Sequence, residues 1–314
     1  MADQHMRPRR GNADVPYISE AEIRQVLHFQ DLIPAMEQAL IDFSAGRVRQ
    51  PVRSIVPVPE HAGFMGVMPA VYGDIMGTKL VNFYPENTKY EIPTHLALIA
   101  TFRATTGEPL AVLDGRLITE MRTAAVSAAV ARLVAPGGPL VLAILGSGVQ
   151  ALAHYRALSV VRSLSEIRIW SRNPEHARRF AVEMGAKSMS AEQAVRNAGV
   201  IVTATSSRQP VLHGEWLRSG ALVLAVGAVG GTVRELDDAV MQSACVVVDS
   251  RDAAMQESGD ILLSGAPVHA EVGELFAGAK TVSAGEKVVF KSLGLAVEDL
   301  ASARLVLEKL GFEL

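Results

Sequence analysis

The sequence predicts an α/β protein in two parts: a parallel sheet covered by helices on both faces, preceded by an α+β unit with an antiparallel sheet. Three observations lead there. After residue 139, short apolar runs ("LVLAIL", "EIRIWS", "VIVTATS", "LVLAVGA", "CVVVDS") alternate with helical segments, and strands apolar throughout are buried on both faces. The first of those runs ends in Gly146-Ser147-Gly148-Val149-Gln150-Ala151, a glycine turn between a strand and a helix. Before residue 120, short alternating segments are separated by turn residues, the pattern of strands joined by turns. A chain of 314 residues has room for two such units.

In chain order, "ISEAEIRQVL" and "IPAMEQALIDFSAG" repeat apolar residues at helical spacing. Ser19 and Glu22 make an S-x-x-E start, and Gly46 a stop. "RSIVPVP", "GFMGVMPA", "GTKLVNFYP" and "THLALIATFRATTGEPLAVLDG" read as strands, with "TTGEP" as a hairpin connection. "ITEMRTAAVSAAVARLVAP" reads as a long Ala-rich helix, ended by Pro136, Gly137, Gly138 and Pro139. The parallel strands then alternate with "QALAHYRALSVV", "PEHARRFAVEMG", "SAEQAVRNA" and "DDAVMQSA" as helices. "AVEDLASARLVLEKLGFEL" is read as a last amphipathic helix.

Composition excludes several classes. Hydrophobic residues are 49% and charged residues 20%, with a net charge of −3, so there is no electrostatic footprint for nucleic acid or an anionic membrane. The most apolar stretch, "ALVLAVGAVGG", is too short to span a bilayer. The single cysteine, Cys245, reads as core and permits no intrachain disulfide, so a reducing, cytoplasmic setting is expected. "MADQHMRPRRGNADVP" lacks an apolar h-region and is expected to be a polar disordered tail, not a signal peptide. His5, His28, His61, His154, His176, His213 and His269 are scattered without metal-ligand spacing, and no metal is expected. No G-x-S-x-G elbow or Cys/His pair points to a covalent nucleophile.

The glycine turn has the G-x-G-x-x-A form of a dinucleotide fingerprint. Gly146 permits the turn, Gly148 the approach of a pyrophosphate, and Ala151 close helix–strand packing, while Ser147, Val149 and Gln150 lie where the helix N-terminus meets phosphate. At the end of the second strand, Ser171, Arg172 and Asn173 stand where an NAD enzyme usually carries an acid. An arginine there suits a 2′-phosphate, so NADPH is favoured over NADH, which stays possible; a solvated loop arginine is the other reading. Thr205, Ser206, Ser207, Val226 and Gly227 lie at carboxyl ends of strands, where the nicotinamide half is expected.

The ordered segments "QPVRSIVPVPEHAGFMGVMPA", "TKLVNFYPE", "PTHLALIATF", "LAVLDGRLITEMRTAAVSA", "ILGSGVQALAHY", "VDSRDAAMQESGDILLSGA" and "VFKSLGLAVEDLASA" together resemble the ornithine cyclodeaminase/mu-crystallin family, most of all its ketimine-reductase branch. The resemblance implies a Rossmann-type dinucleotide-binding domain over 121–297. It implies a substrate-binding and dimerisation domain over 15–120, completed by 298–314, and a homodimer with the active site in the cleft between domains. It also implies an enzyme of amino-acid metabolism: an NAD(P)H-dependent reductase of a cyclic ketimine carboxylate, of pyrroline- or piperideine-2-carboxylate type, giving an L-imino acid. Ornithine cyclodeaminase or alanine-dehydrogenase-like chemistry is the alternative within the family. An NADPH-gated small-ligand-binding protein is the alternative of another class.

Basic residues in apolar or small-residue contexts are the substrate candidates: Arg53 in "QPVRS", Lys79 in "GTKLV" and Arg122 in "MRTAA". A buried cation needs an anion, and a bound carboxylate would supply one. The resemblance assigns the carboxylate clamp to Arg53 and Arg122, and substrate contact and the proton to Lys79, whose pKa is expected to be lowered in a desolvated cationic pocket. It places Thr94, His95, Arg122 and Lys291 beside the cofactor and Glu257 near ligand. Val229 stands at the apparent match to the family's cyclodeaminase aspartate. Valine moves no proton, so cyclodeamination by that route is not expected; Glu257 and Asp260 are the nearby acids that could compensate.

Overall fold

The computed structural model describes residues 14–314, so the expected polar tail, apart from its last three residues, lies outside the described residues. The first part of the chain runs β1 (Tyr17–Ile18), α1 (Glu20–Val26), α2 (Phe29–Ser44), β2 (Val48–Arg49), β3 (Ser54–Val58), β4 (Gly63–Tyr72), β5 (Ile75–Phe83), β6 (His95–Arg103) and β7 (Pro109–Asp114). Ser19 caps α1 and exchanges hydrogen bonds with Glu22, the predicted capping box. The strands form a seven-stranded sheet in the order β1-β7-β6-β5-β4-β2, with β3 also on β4. The pairs among β2 to β7 are antiparallel, as expected, but β1 joins β7 in parallel. Two helices and five strands separate those partners, ample chain for the long connection that parallel pairing requires.

A single helix, α3 (Gly115–Val134), leads out of this sheet, and the boundary expected between residues 120 and 121 falls inside it. Its run of Ala and Ser, buried from Thr123 to Ala131, lets α2 and helices from the second part press close. That part runs β8 (Leu140–Leu145), α4 (Val149–Val161), β9 (Leu164–Trp170), α5 (Pro174–Met184), β10 (Lys187–Ser188), α6 (Ala191–Val195), β11 (Val200–Thr203), β12 (Leu222–Ala225), α7 (Asp238–Gln242), β13 (Cys245–Val248), α8 (Arg251–Glu257), α9 (Gly259–Ser264), β14 (Val268–Glu271), α10 (Val272–Phe276), β15 (Val288–Lys291) and α11 (Ala296–Lys309).

Its eight strands are all parallel, ordered β10-β9-β8-β11-β12-β15-β13-β14. The winding reverses between β8 and β11, which makes their carboxyl ends the switch point where a doubly wound sheet binds its ligand. The last strand, β15, inserts between β12 and β13 and delivers the chain to α11, which packs on α2, α3, β4 and β5. The expected amphipathic pattern of α11 is corrected here. Every residue from Ala296 to Ala303 is buried, including Glu298 and Asp299, because the helix is wedged between the first sheet and α2 and α3. Cys245 is core, and burial, with Glu286 adding to it, pushes its thiol up to about 11.

Candidate active site

The glycine turn sits at the switch point. Gly146 has φ +125°, and a Cβ there would lie 2.3 Å from the Ala204 carbonyl oxygen, so the turn after β8 closes against the end of β11 only with glycine. Gly148 caps α4, and a Cβ on it would meet nothing within 4 Å, leaving open space in front of the helix. Val149 and Gln150 occupy the first turn of α4, where N–H groups have no intrahelical acceptor. Ser147 donates to the Ser171 hydroxyl at 2.8 Å, tying the turn to the end of β9. Asn173 caps α5 by accepting from the Glu175 N–H, whereas Arg172 is exposed and forms no ion pair among the described residues. Open space, free helix donors and an unengaged cation fit a dinucleotide with its pyrophosphate at α4.

The next strand tips are held by one acid. Glu235 is fully buried and accepts from the Thr203 and Thr205 hydroxyls and from the N–H groups of Thr205, Gly227 and Ala228, at 2.7 to 3.3 Å. It therefore fixes the loops after β11 and β12, which carry Thr205, Ser206, Ser207, Val226, Gly227 and Val229. Ser207 turns back on its own loop, its N–H donating to Thr205. Lys291 lies beneath these loops: its ammonium is fully buried, donates to the Ala228 carbonyl at 2.6 Å and sits 3.1 Å from Asp260. This pairing ties the Lys291 ammonium into the fold beneath the loop. It also removes Asp260 as a compensating acid, because that carboxylate accepts from the N–H groups of Glu235 and Leu236 and faces Lys291. Val229 is 45% exposed in the same turn, which the Gly230 N–H ties to the Glu257 carbonyl.

The three basic candidates converge where β5, α3 and the segment before β3 meet α11. Lys79 is 2% exposed, and its Nζ is 2.7 Å from Asp299 Oδ2. Arg122, 4% exposed, donates from Nη1 to Glu298 at 2.7 Å and places Nε 3.3 Å from Asp299 Oδ1. Its guanidinium lies against Gly294, where a Cβ would come within 2.4 Å of Nη1. Arg53 donates to the carbonyls of Leu293 and Gly294 at 2.7 and 2.8 Å and to Glu257 at 3.1 Å. A cleft of about 130 Å³ opens beside it, lined in part by Gln50, Met68, Ser250 and Gly294. Protein acids already stand beside these cations: Glu257 pairs with Arg53, Asp299 with Lys79, and Glu298 and Asp299 with Arg122.

Desolvation lowers Lys79 to about 8, with Arg122 and Arg53 acting the same way and Asp299 opposing them. Desolvation pushes Glu298 up to about 7 against the pull of Arg122, and it raises Glu257 against Arg53. His95 begins β6, with its ring 4.6 Å from that of Phe83 and its Nδ1 3.3 Å from the Thr94 hydroxyl. Sequence reasoning missed Glu298 and Asp299. It also missed Asp249, whose carboxylate accepts from the N–H groups of Leu293 and Gly294 and so shapes the turn that Arg53 and Arg122 rest on. The described residues contain no group of three or more His, Cys, Asp or Glu placed to hold a metal, and none of their helices is long and apolar enough to cross a membrane.

Fold and site together define a two-part protein with a Rossmann-type sheet and a buried acid–base cluster beside its strand tips. Residues 16–312 match the model of the ornithine cyclodeaminase/mu-crystallin family, and the chain belongs to that family. It is 46% identical over 299 residues to the ketimine reductase mu-crystallin of Mus musculus, covering 92% of this chain and 96% of that one. The structure of Thermococcus litoralis Δ1-pyrroline-2-carboxylate reductase in complex with NADH and L-proline superposes with a TM-score of 0.89 at 34% identity, covering 94% and 97% of the two chains. An archaeal alanine dehydrogenase dimer with bound NAD superposes at 0.88 with 30% identity, covering 94% and 95%.

Proposed function

We propose that the protein is an NAD(P)H-dependent reductase of cyclic ketimine carboxylates, with pyrroline- and piperideine-2-carboxylate as the substrate type and an L-imino acid as product. One observation carries the reading: a buried lysine held near neutrality, set beside two arginines at the edge of a dinucleotide-binding sheet. The relatives named ketimine reductase and pyrroline-2-carboxylate reductase support the same chemistry. Arg53 and Arg122 hold the substrate carboxylate, and Lys79 faces the ring nitrogen. A reduced nicotinamide bound along the strand tips supplies the hydride that C=N reduction needs. Lys79 gives the nitrogen its proton as the C=N carbon is reduced, and solvent restores it. Such a group must be charged at neutral pH and still acidic enough to let go, the condition a pKa near 8 meets.

Arg172, exposed at the end of β9, supports NADPH as the preferred cofactor. The bound alanine dehydrogenase dimer supports a homodimer here. Val229 carries no carboxylate at the turn after β12, which supports simple imine reduction over ornithine cyclodeamination. The test is turnover of both cyclic ketimines with NADPH and NADH, run beside ornithine, alanine and lysine with NAD⁺ and NADP⁺. Ketimine-dependent oxidation of NADPH is expected. Proline and ammonia released from ornithine at a comparable rate would replace this reading with cyclodeamination.

A further inference from the structure

We infer that Asp299 is a positioning residue of the active site, its carboxylate joining the arginine that holds the substrate carboxylate to the lysine that protonates the imine nitrogen. The inference rests on the reductase reading above. Asp299 reaches both groups at once, Oδ2 to Lys79 Nζ at 2.7 Å and Oδ1 to Arg122 Nε at 3.3 Å, and all three side chains are at most 5% exposed. Neither oxygen accepts a well-directed hydrogen bond, and Arg122 Nε donates none.

Acids that only hold the fold look different here. Asp249 and Glu235 are saturated by backbone N–H groups and hydroxyls. A carboxylate that spans two cations and is otherwise unsatisfied is poorly rewarded as a stabilising pair. Its position on α11 means that movement of Arg122 toward a bound carboxylate is felt at Lys79 through one side chain.

The charges around Lys79 fix the direction of the effect. Arg122 on α3, Arg53 before β3 and His95 on β6 lie on one side of the balance, and Asp299 and Glu298 on α11 on the other. Asp299 is the anion that opposes desolvation most directly. Without it the buried ammonium faces two guanidinium groups, and it gives up its proton at lower pH.

The experiment is the pH profile of kcat/KM for pyrroline-2-carboxylate in wild type, Asp299→Asn and Asp299→Glu. The alkaline limb reports loss of the Lys79 proton, and the substrate's own titration is common to all three proteins. Asp299→Asn is expected to move that limb down by about 1–3 pH units, the range for losing one close opposite charge. Asp299→Glu is expected to keep the limb near the wild-type position while lowering kcat, since the carboxylate is displaced by a methylene. A limb that stays in place in Asp299→Asn, with kcat reduced equally at every pH, would make Asp299 merely structural. Wild-type kcat in Asp299→Glu would overturn the positioning role even if Asp299→Asn does not fold.

Binding of pyrrole-2-carboxylate, a planar acid that cannot be reduced, gives a readout free of turnover. Its affinity by calorimetry should weaken above the Lys79 pKa in wild type and at least one unit lower in Asp299→Asn; an unshifted midpoint overturns the link. Wild-type protein that binds this acid yet reduces no ketimine would refute the reductase reading and leave the link standing.

Discussion

Two buried lysine–aspartate pairs occur among the described residues, and they differ in what else touches them. Around Lys291 and Asp260 the fold supplies backbone partners: the ammonium donates to the Ala228 carbonyl, and Asp260 Oδ1 accepts two backbone N–H groups, which leaves only Oδ2 to the ion pair with Lys291. Around Lys79 and Asp299 no backbone group contributes, and the neighbours are side chains of Arg122 and Glu298. A charge locked by backbone dipoles has one arrangement. A charge held only by other side chains can exchange partners when a ligand brings its own charge. Burial and pairing alone therefore do not separate structural from chemical ions; the identity of the remaining partners does.

The sharpest way to break that comparison is to make the same substitution in both pairs. Lys79→Met removes the proton source and should lower kcat for ketimine reduction by about 10²–10⁴-fold, with NADPH binding retained. Lys291→Met strands Asp260 in the core and should cost about 3–5 kcal/mol of stability, with the surviving folded protein still active. Denaturant unfolding and ketimine turnover of the two variants test this together. Loss of activity without loss of stability at Lys291, or the reverse at Lys79, would erase the distinction.

The arginine clamp gives a second test at the same site. Arg53→Lys keeps the charge but loses the fork that holds the Leu293 and Gly294 carbonyls together with an acid. The ketimine KM should rise about 10–100-fold, equivalent to roughly 1.5–3 kcal/mol for a hydrogen bond to a charged group, while the Kd for NADPH stays within a factor of two. Steady-state kinetics with a parallel fluorescence titration would show it, and an unchanged KM would make Arg53 a strut between the two parts of the chain.

These residues also show what could be read from the chain alone. Lys79, Arg53 and Arg122 were legible because a lone cation in an apolar setting is anomalous. The glycine turn was legible because strand, turn and helix must occur in a fixed local order, and Gly146 and Gly148 sit where that order needs them. Glu298 and Asp299 were not. Two acids in the first turn of a helix are what the helix dipole favours at a solvated end, and only the return of α11 between the first sheet and helices α2 and α3 buries them. Glu235 and Asp249 were hidden for a related reason: their partners are backbone groups of loops remote in sequence, which leave no pattern in residue type. The insertion of β15 between β12 and β13 is likewise a long-range choice with no local signature.

A buried base that does not line the cleft sharpens the contrast further. His154 on α4 is fully buried, with Nδ1 2.8 Å from the Gln150 carbonyl and Nε2 2.9 Å from the Ser127 hydroxyl on α3. Desolvation pushes it down to about 4 from 6.5. Between those values the unfolded chain binds the extra proton, so stability rises with pH through the window and is lost as pH falls toward 4. The shift corresponds to about 3 kcal/mol at 1.36 kcal/mol per unit. His154→Gln should flatten the difference in stability between pH 6.5 and pH 4 by that order, with ketimine kinetics at pH 7.5 unchanged. Parallel pH curves of unfolding free energy for both proteins would mean that His154 titrates with its ordinary value.

The smallest effect is expected at the opposite extreme, an exposed cation with no partner. Arg172 follows β9 in the position where a dinucleotide's ribose is bound, and no acid of the described residues pairs with it. A 2′-phosphate would give it a charge-assisted partner, but solvent screens the pair and limits its worth to about 1–2 kcal/mol, or roughly 5–30-fold in affinity. The preference should shrink with added salt, since screening acts on exposed pairs first. Arg172→Ala should bring the Kd for NADPH close to that for NADH and leave the NADH value where it was, because nothing in the NADH ribose needs the charge. Fluorescence titration of both cofactors at low and high salt measures all of this at once. Equal wild-type affinities for the two would assign Arg172 to the solvated surface. A loss of NADH binding in Arg172→Ala would instead mean that the arginine shapes the β9 loop, in the way the Asn173 cap does.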